Sequence, residues 1–297
     1  MFRLFLALVL LCAPAAARAE LLDPAPRVAV MSAFAPEWHA LLAAAEAPKT
    51  YVVNGKSFVT ARLGGKDVVL LMSGISMVNA AMSAQMALDR FRVTAIAFSG
   101  IAGGVDPARN VGDVVVAAQW AEYLESVFAR ETPEGFATPP FLPRPHANFG
   151  MIHPIDSEVG RDAAPEMRFW FPADAALLEV ARRAAARVSL SDCAAGACLA
   201  AKPRVVVGGN GVSGSAFVDN ARFRDYVHAA FAAEVVDMES AAVAHVAYAN
   251  GVPFIAFRSL SDLAGGGAHA NEMDTFMALA AENSVKVVRA FLAELNP

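Results

Sequence analysis

VVDMESAAVAHVAYANGVPFIAFRSLSDLAGG, residues 235–266, decides how this chain reads. It hangs acids on the ends of two short apolar runs separated by one helix-length segment. Val235-Val236 leads into Asp237-Met238-Glu239, with two acids at i and i+2, and the run PFIAF (253–257) leads into Arg258-Ser259-Leu260-Ser261-Asp262. Between them, Ser240 to Asn250 has the Ala-rich character of a helix packed on a sheet, and Asn250-Gly251 supplies its stop. The pattern predicts a strand, a helix and a second strand. In open α/β sheets ligands sit at the carboxyl ends of strands, so Glu239 and Asp262 are the first candidates for a site. A plainer reading of each stays open: Glu239 favours a helix start through the macrodipole, and Ser261-Asp262 caps the next segment.

Outward from this unit the same alternation continues. RVAVMS (27–32) predicts a first strand and Glu37 to Ala47 a helix; Lys66–Ser73 and Thr94–Ser99 predict strands flanking a helix over Val78–Arg90. Further strands are expected at Val114–Ala118, Arg204–Gly208, Glu234–Asp237 and Pro253–Ser259, with a terminal helix over Asp274–Leu295. Strands alternating with helices imply an α/β fold, a largely parallel sheet covered on both faces. Residues 120–172 break the rhythm with eight prolines and many aromatics, and are expected to form an ordered excursion packed on a single domain spanning 20–297.

The 297 residues are 56% hydrophobic and 18% charged, which indicates a deep core and excludes disorder. Residues 1–19 carry Arg3, an apolar run from Leu4 to Leu11 and Ala17-Arg18-Ala19 before Glu20, the pattern of a secretory signal peptide. That run is shorter than the about 20 residues of a membrane span, so export without a membrane anchor is expected. Cleavage removes Arg3 and Arg18, leaving 22 basic against 29 acidic residues and a formal charge of −7. No basic patch points to nucleic acid. Cys193 and Cys198 lie in SDCAAGAC, where an exported protein is expected to close a short disulfide, the alternative being two free thiols.

Several smaller signals surround the acids. Ser99-Gly100-Ile101-Ala102-Gly103-Gly104 and Ser73-Gly74-Ile75-Ser76-Met77 each follow a predicted strand, and their glycines let backbone amides approach a ligand or simply serve tight turns. Glu37 stands in the first turn of the first helix at the sheet's carboxyl edge, placed either to orient a water or to satisfy the helix dipole. The six histidines form no metal-ligand pair such as HExxH, and His245 reads as structural. No GxSxG elbow is present, and neither late cysteine has a nucleophile's setting.

VDMESAAVAHVAYANGVPFIAFRSLSD (236–262), SGIAGGVDPARNVGDVVV (99–116), VSGSAFVDN (212–220) and SGISMVNAAM (73–82) together resemble the 5'-methylthioadenosine/S-adenosylhomocysteine nucleosidases of the purine nucleoside phosphorylase superfamily. The resemblance covers most of residues 27–295. It implies a three-layer α/β/α domain with a central mixed sheet, usually a homodimer, that hydrolyses the purine–ribose bond of a small-molecule nucleoside without cofactor or metal. By position Asp262 resembles the acid that protonates the purine N7, with Ser261 supporting its loop. Glu239 resembles the carboxylate holding ribose hydroxyls, with Met238 against the sugar and Arg258 supporting the glutamate. Glu37 resembles the residue that positions water, and Phe217 and Val218 match the segment that binds the base. Ile75, Ile101 and Met273 complete the expected substrate contacts. Ile101 stands where these enzymes commonly carry a serine, and Met273 near a position usually aromatic.

Two other functions fit the same residues. A phosphorylase would use phosphate in place of water, but that chemistry wants converging cations, and Ala33 to Glu37 offers an acid and no arginine. An exported nucleoside-binding protein would keep the fold without turnover.

Overall fold

The computed structural model describes residues 20–142, 145–161, 164–194, 196–267 and 270–296; the expected leader and His269 lie outside them. The chain opens with β1 (Asp23–Ser32), α1 (Ala35–Ala43), the antiparallel pair β2 (Glu46–Val53) and β3 (Lys56–Leu63), then β4 (Lys66–Met72), α2 (Met77–Arg90) and β5 (Phe91–Gly104). Short strands β6 (Val114–Val116) and β7 (Gln119–Ala121) follow. Next come β8 (Ser126–Phe128), β9 (Arg130–Thr132), β10 (Gly135–Ala137), β11 (Ile152–Pro154), β12 (Ser157–Arg161) and β13 (Ala164–Arg168). The chain then forms β14 (Trp170–Pro172), α3 (Ala175–Ala185), β15 (Cys193–Ala194), β16 (Ala197–Cys198), β17 (Val205–Val207), β18 (Asn210–Ser213) and α4 (Ala221–Phe231). It closes with β19 (Ala233–Asp237), α5 (Ser240–Ala249), β20 (Phe254–Asp262) and α6 (Met273–Glu294).

One mixed sheet runs β14-β7-β18-β19-β5-β1-β4-β3-β2, with β20 also paired to β5, β6 to β20 and β17 to β6. Its centre is parallel: β1 pairs in parallel with β4 and β5, and β5 with β20. The continuous apolar runs that marked these strands follow from this, because a central parallel strand is covered on both faces. Helices α2 and α5 pack on one face, and α1, α3 and α6 on the other, which makes three layers. Among the described residues no helix is long and apolar enough to cross a membrane.

β5 is where the sheet forks. Gly103 is the register partner both of Val236 on β19 and of Asp262 on β20. The carboxyl ends of two strands therefore meet over one glycine, and each delivers an acid there.

Two local expectations differ from the structure, the end of the first helix and the Gly-rich segment. The first helix stops at Ala43, and Glu46 already starts β2, whose pairing with β3 overrides the helix preference of the Ala-rich segment. Asn54 and Gly55, both at positive φ, turn this hairpin. The Gly-rich segment 99–104 is not a turn but the end of β5. The excursion over 120–172 begins and ends in the main sheet, since β7 and β14 pair at its edge. Among the described residues between them lie three two-stranded ladders, β8–β11, β9–β10 and β12–β13. Its aromatics dock it: Phe149 meets Phe223 at 5.0 Å and Tyr226 at 5.2 Å on α4. Cys193 and Cys198 are disulfide-bonded. Ser191, just before that loop, exchanges two hydrogen bonds with the buried Asn283 of α6.

Candidate active site

A cleft enclosing about 660 Å³ of free space, partly open to solvent, lies over the fork. Glu37, Glu239 and Asp262 line it, together with Ile75, Ile101, Phe217, Val218, Met238, Ser261 and Met273. Every site residue expected from the sequence is on this surface except Arg258, which is buried directly behind it.

β19 and α5 set Glu239. Asp237 closes the strand and accepts the N–H groups of Glu239 (3.2 Å) and Ser240 (3.1 Å), capping the helix start in the manner of an Asx turn. The hydroxyls of Ser213 and Ser240 also donate to Asp237. Arg258 is fully buried: its Nε lies 2.6 Å from Asp237 Oδ2 and 2.9 Å from Ser240 Oγ, and its Nη2 3.2 Å from Glu239 Oε2. Its guanidinium also covers the Phe98 ring at 4.1 Å. The other oxygen of Glu239 accepts the Ser76 N–H at 2.8 Å. Burial pushes the Glu239 carboxyl up to about 7, against the pull of Arg258 and with the repulsion of Asp237.

Glu37 is fixed by main-chain donors. Its Oε2 accepts from Ala33 N (2.6 Å) and its Oε1 from Ile101 N (2.8 Å), so the link after β1 and the end of β5 both hold it. Burial raises its proton affinity above the ordinary carboxyl range, opposed by the charge of Arg258. Position 101 thus serves through its backbone, and its apolar side chain faces the cleft. Asp262 Oδ1 accepts the Ala264 N–H at 2.8 Å and Oδ2 the Ser261 hydroxyl at 2.9 Å. Burial raises Asp262 too, which favours its protonated form. Nearby, Asn271 links Asp219 (3.1 Å) to the N–H of Met273 (2.9 Å), tying the loop after Phe217 to the start of α6.

Gly100 shows how closely these groups converge. A Cβ there would fall 2.2 Å from Arg258 Nη1 and 2.6 Å from Glu37 Oε1. Gly100→Ala is expected to cost about 1–3 kcal/mol by overpacking, measured by urea unfolding. A variant as stable as the parent would show that this contact has slack.

Sequence reasoning missed four contributors. Asp237 was visible as an acid, yet nothing local shows that it holds Arg258. Ser213 and Ser240 reach it only through the fold. Ser76 sat in a segment read for its glycine, and its hydrogen bond spans 163 positions. His245, read as structural, pairs with Glu122 at 3.2 Å and stacks on Phe171 at 4.4 Å, away from the cleft lining.

Residues 27–293 match the phosphorylase superfamily model. The 5'-methylthioadenosine/S-adenosylhomocysteine nucleosidase of Geobacillus thermodenitrificans is 30% identical over 267 residues, covering 90% of this chain and 96% of that one. Its counterpart from Bacillus thuringiensis is 31% identical over 275 residues, covering 91% and 100%. Among solved structures, the nucleosidase of Neisseria meningitidis in complex with methylthio-immucillin-A superposes with TM-score 0.67 at 28% identity, over 91% of this chain and 99% of that one. Futalosine hydrolase of Helicobacter pylori shares the fold at TM-score 0.67 and 20% identity, over 91% and 98%.

Proposed function

The chain belongs to the phosphorylase superfamily, and on that premise we propose how its cleft works as a purine nucleosidase acting on nucleosides of the methylthioadenosine and S-adenosylhomocysteine kind. It hydrolyses the bond between the purine and C1' of the ribose. The observation that carries this reading is the convergence of three buried acids, Glu239 at the junction of β19 and α5, Asp262 at the end of β20 and Glu37 in α1, over one cleft at the sheet's carboxyl edge.

Each acid takes a separate task. Asp262, whose hold on its proton is strengthened by burial, gives that proton to N7 of the purine. The C1'–N9 bond then breaks with its electron pair going to the base, and the ribosyl group gains oxocarbenium character. Glu239, gripped by Arg258 and Ser76, accepts the ribose hydroxyls and lays negative charge beside the developing cation. Glu37, held by the main-chain N–H groups of Ala33 and Ile101, aims a water at C1' and takes its proton. Phe217 and Val218 offer the base a stacking surface and main-chain partners.

Water is favoured over phosphate by the electrostatics. Among the described residues the lining contains Glu37, Asp237, Glu239 and Asp262 but no lysine or arginine, and Arg258 behind it is already engaged by two carboxylates. A phosphate anion would meet the Glu37 carboxylate with no free cation in the lining to offset it. Incubation with methylthioadenosine, S-adenosylhomocysteine, adenosine and inosine, with and without phosphate, tests this. Free base and free pentose are expected, unchanged by phosphate. Pentose 1-phosphate, or binding without product, would sink the reading.

Two further parts of the proposal concern the setting. Export is supported by the leader-like residues 1–19 and by the Cys193–Cys198 disulfide, which suits an oxidising compartment. A cell-associated, uncleaved cytoplasmic product would contradict it. A homodimer is supported by the exposed apolar side chains of Ile75, Val78 and Met82 at the cleft mouth and on α2. A monomer in sedimentation at micromolar concentration would contradict that.

A further inference from the structure

Ser76 holds a backbone conformation that a residue with a side chain rarely adopts, φ 81° and ψ 163°, in a region otherwise used almost only by glycine. Such strain persists only where the surroundings overdetermine it, and here they do. The carbonyl of Ser73 accepts from Lys56 Nζ (2.6 Å) and from the Ser83 hydroxyl (3.0 Å), and its N–H donates to the Ser32 carbonyl (2.8 Å). Gly74 turns the chain at φ 84°, and Asn79 Nδ2 donates to the Ile75 carbonyl at 2.8 Å. The Ser76 carbonyl itself accepts the first helical N–H of α2, from Ala80, at 3.0 Å.

The result of this conformation is directional. With its carbonyl committed to α2, Ser76 turns its N–H away from the helix and onto Glu239 Oε1. Its hydroxyl donates to Ser215 Oγ at 2.9 Å, on the loop that leads to Phe217 and Val218. Arg258 holds the second oxygen of Glu239 from the opposite side. The carboxylate is therefore clamped at both oxygens, once by a buried cation and once by a strained amide.

We propose that Ser76 is a positioning residue for Glu239, its strained N–H orienting the carboxylate toward the ribose hydroxyls and its hydroxyl locking that strain to the base-binding loop through Ser215. The proposal rests on the reading of Glu239 as the ribose-holding acid. Its consequence is a penalty that depends on the substrate's sugar.

Ser76→Ala keeps the N–H but loses the lock, so the backbone relaxes toward an extended φ and the amide swings away from Glu239. Relief of about 1.4 kcal/mol of strain is enough to favour that relaxation tenfold. A drop in kcat/KM of about tenfold is therefore expected with methylthioadenosine. With its 2'-deoxy or 3'-deoxy analogue, lacking a hydroxyl that Glu239 holds, the drop is expected to shrink to about twofold. Ser76→Gly, which adopts the same φ and ψ without strain and keeps the N–H, is expected to recover most of the loss. Equal losses on the ribose and deoxyribose substrates, no loss in the alanine variant, or a glycine variant as impaired as alanine would overturn the positioning role. Glu239→Gln, run on the same substrates, separates the two layers of argument. If that variant does not discriminate between the sugars, the ribose-holding assignment falls, and the inference about Ser76 falls with it.

Discussion

Asp262→Asn is expected to lower purine release from methylthioadenosine by about 10²–10⁴-fold, the range that a positioned general acid contributes. The side chain keeps its shape and one acceptor for the Ala264 N–H, but it has no proton to give. The loss should appear in kcat, with the affinity for substrate little changed. Stability should move the other way. Burial raises the folded-state affinity of Asp262 for its proton, so the wild type loses stability as pH rises from the unfolded carboxyl range through the folded value. Asparagine carries no such dependence. The variant should therefore gain on the wild type in thermal melts between pH 4 and pH 8, and a variant that melts lower at pH 8 would mean that Asp262 is a structural anion.

Arg258→Met is expected to cost about 3–5 kcal/mol of stability, because removal of one partner leaves the others as buried, uncompensated charges. Methionine fills much of the same volume, but Asp237 and Glu239 lose their cation, and Glu37 nearby adds to the repulsion. Arg258→Lys should rescue only part, since one ammonium cannot reach both carboxylates and also lie flat over Phe98. Guanidinium unfolding is the check. A loss below about 1 kcal/mol would show that the carboxylates take up protons or water without strain, and that the network is not the keel of the site.

The strand, helix, strand unit at 235–262 was legible because its apolar runs, its Ala-rich helix and its terminal acids each follow a local rule. Glu37, Glu239 and Asp262 could be nominated from their positions at strand and helix ends. Their convergence could not, because it depends on β5 pairing with both β19 and β20 at Gly103. Gly100 and Gly103 looked like turn residues. In the fold they sit in a strand and are small because Arg258, Glu37 and Asp262 press against them, a cause that composition cannot distinguish from a turn. Other features had signals that went unused. Asn54-Gly55 marked the β2–β3 hairpin, while Asp174 and Asn220 stood as N-caps for α3 and α4, each accepting a helix N–H at 2.9 Å. The φ of Ser76 had no such signal, because serine there defies its own preference.

The account turns on a proton passing from Asp262 to the leaving base, and one comparison isolates that step. Wild type and Asp262→Asn are assayed side by side on methylthioadenosine and on 4-nitrophenyl riboside, whose nitrophenolate departs without protonation. The variant is expected to fail on the nucleoside while cleaving the nitrophenyl riboside at close to the wild-type rate. Equal losses on both substrates would contradict the proton transfer and leave Asp262 as a residue that merely shapes the cleft.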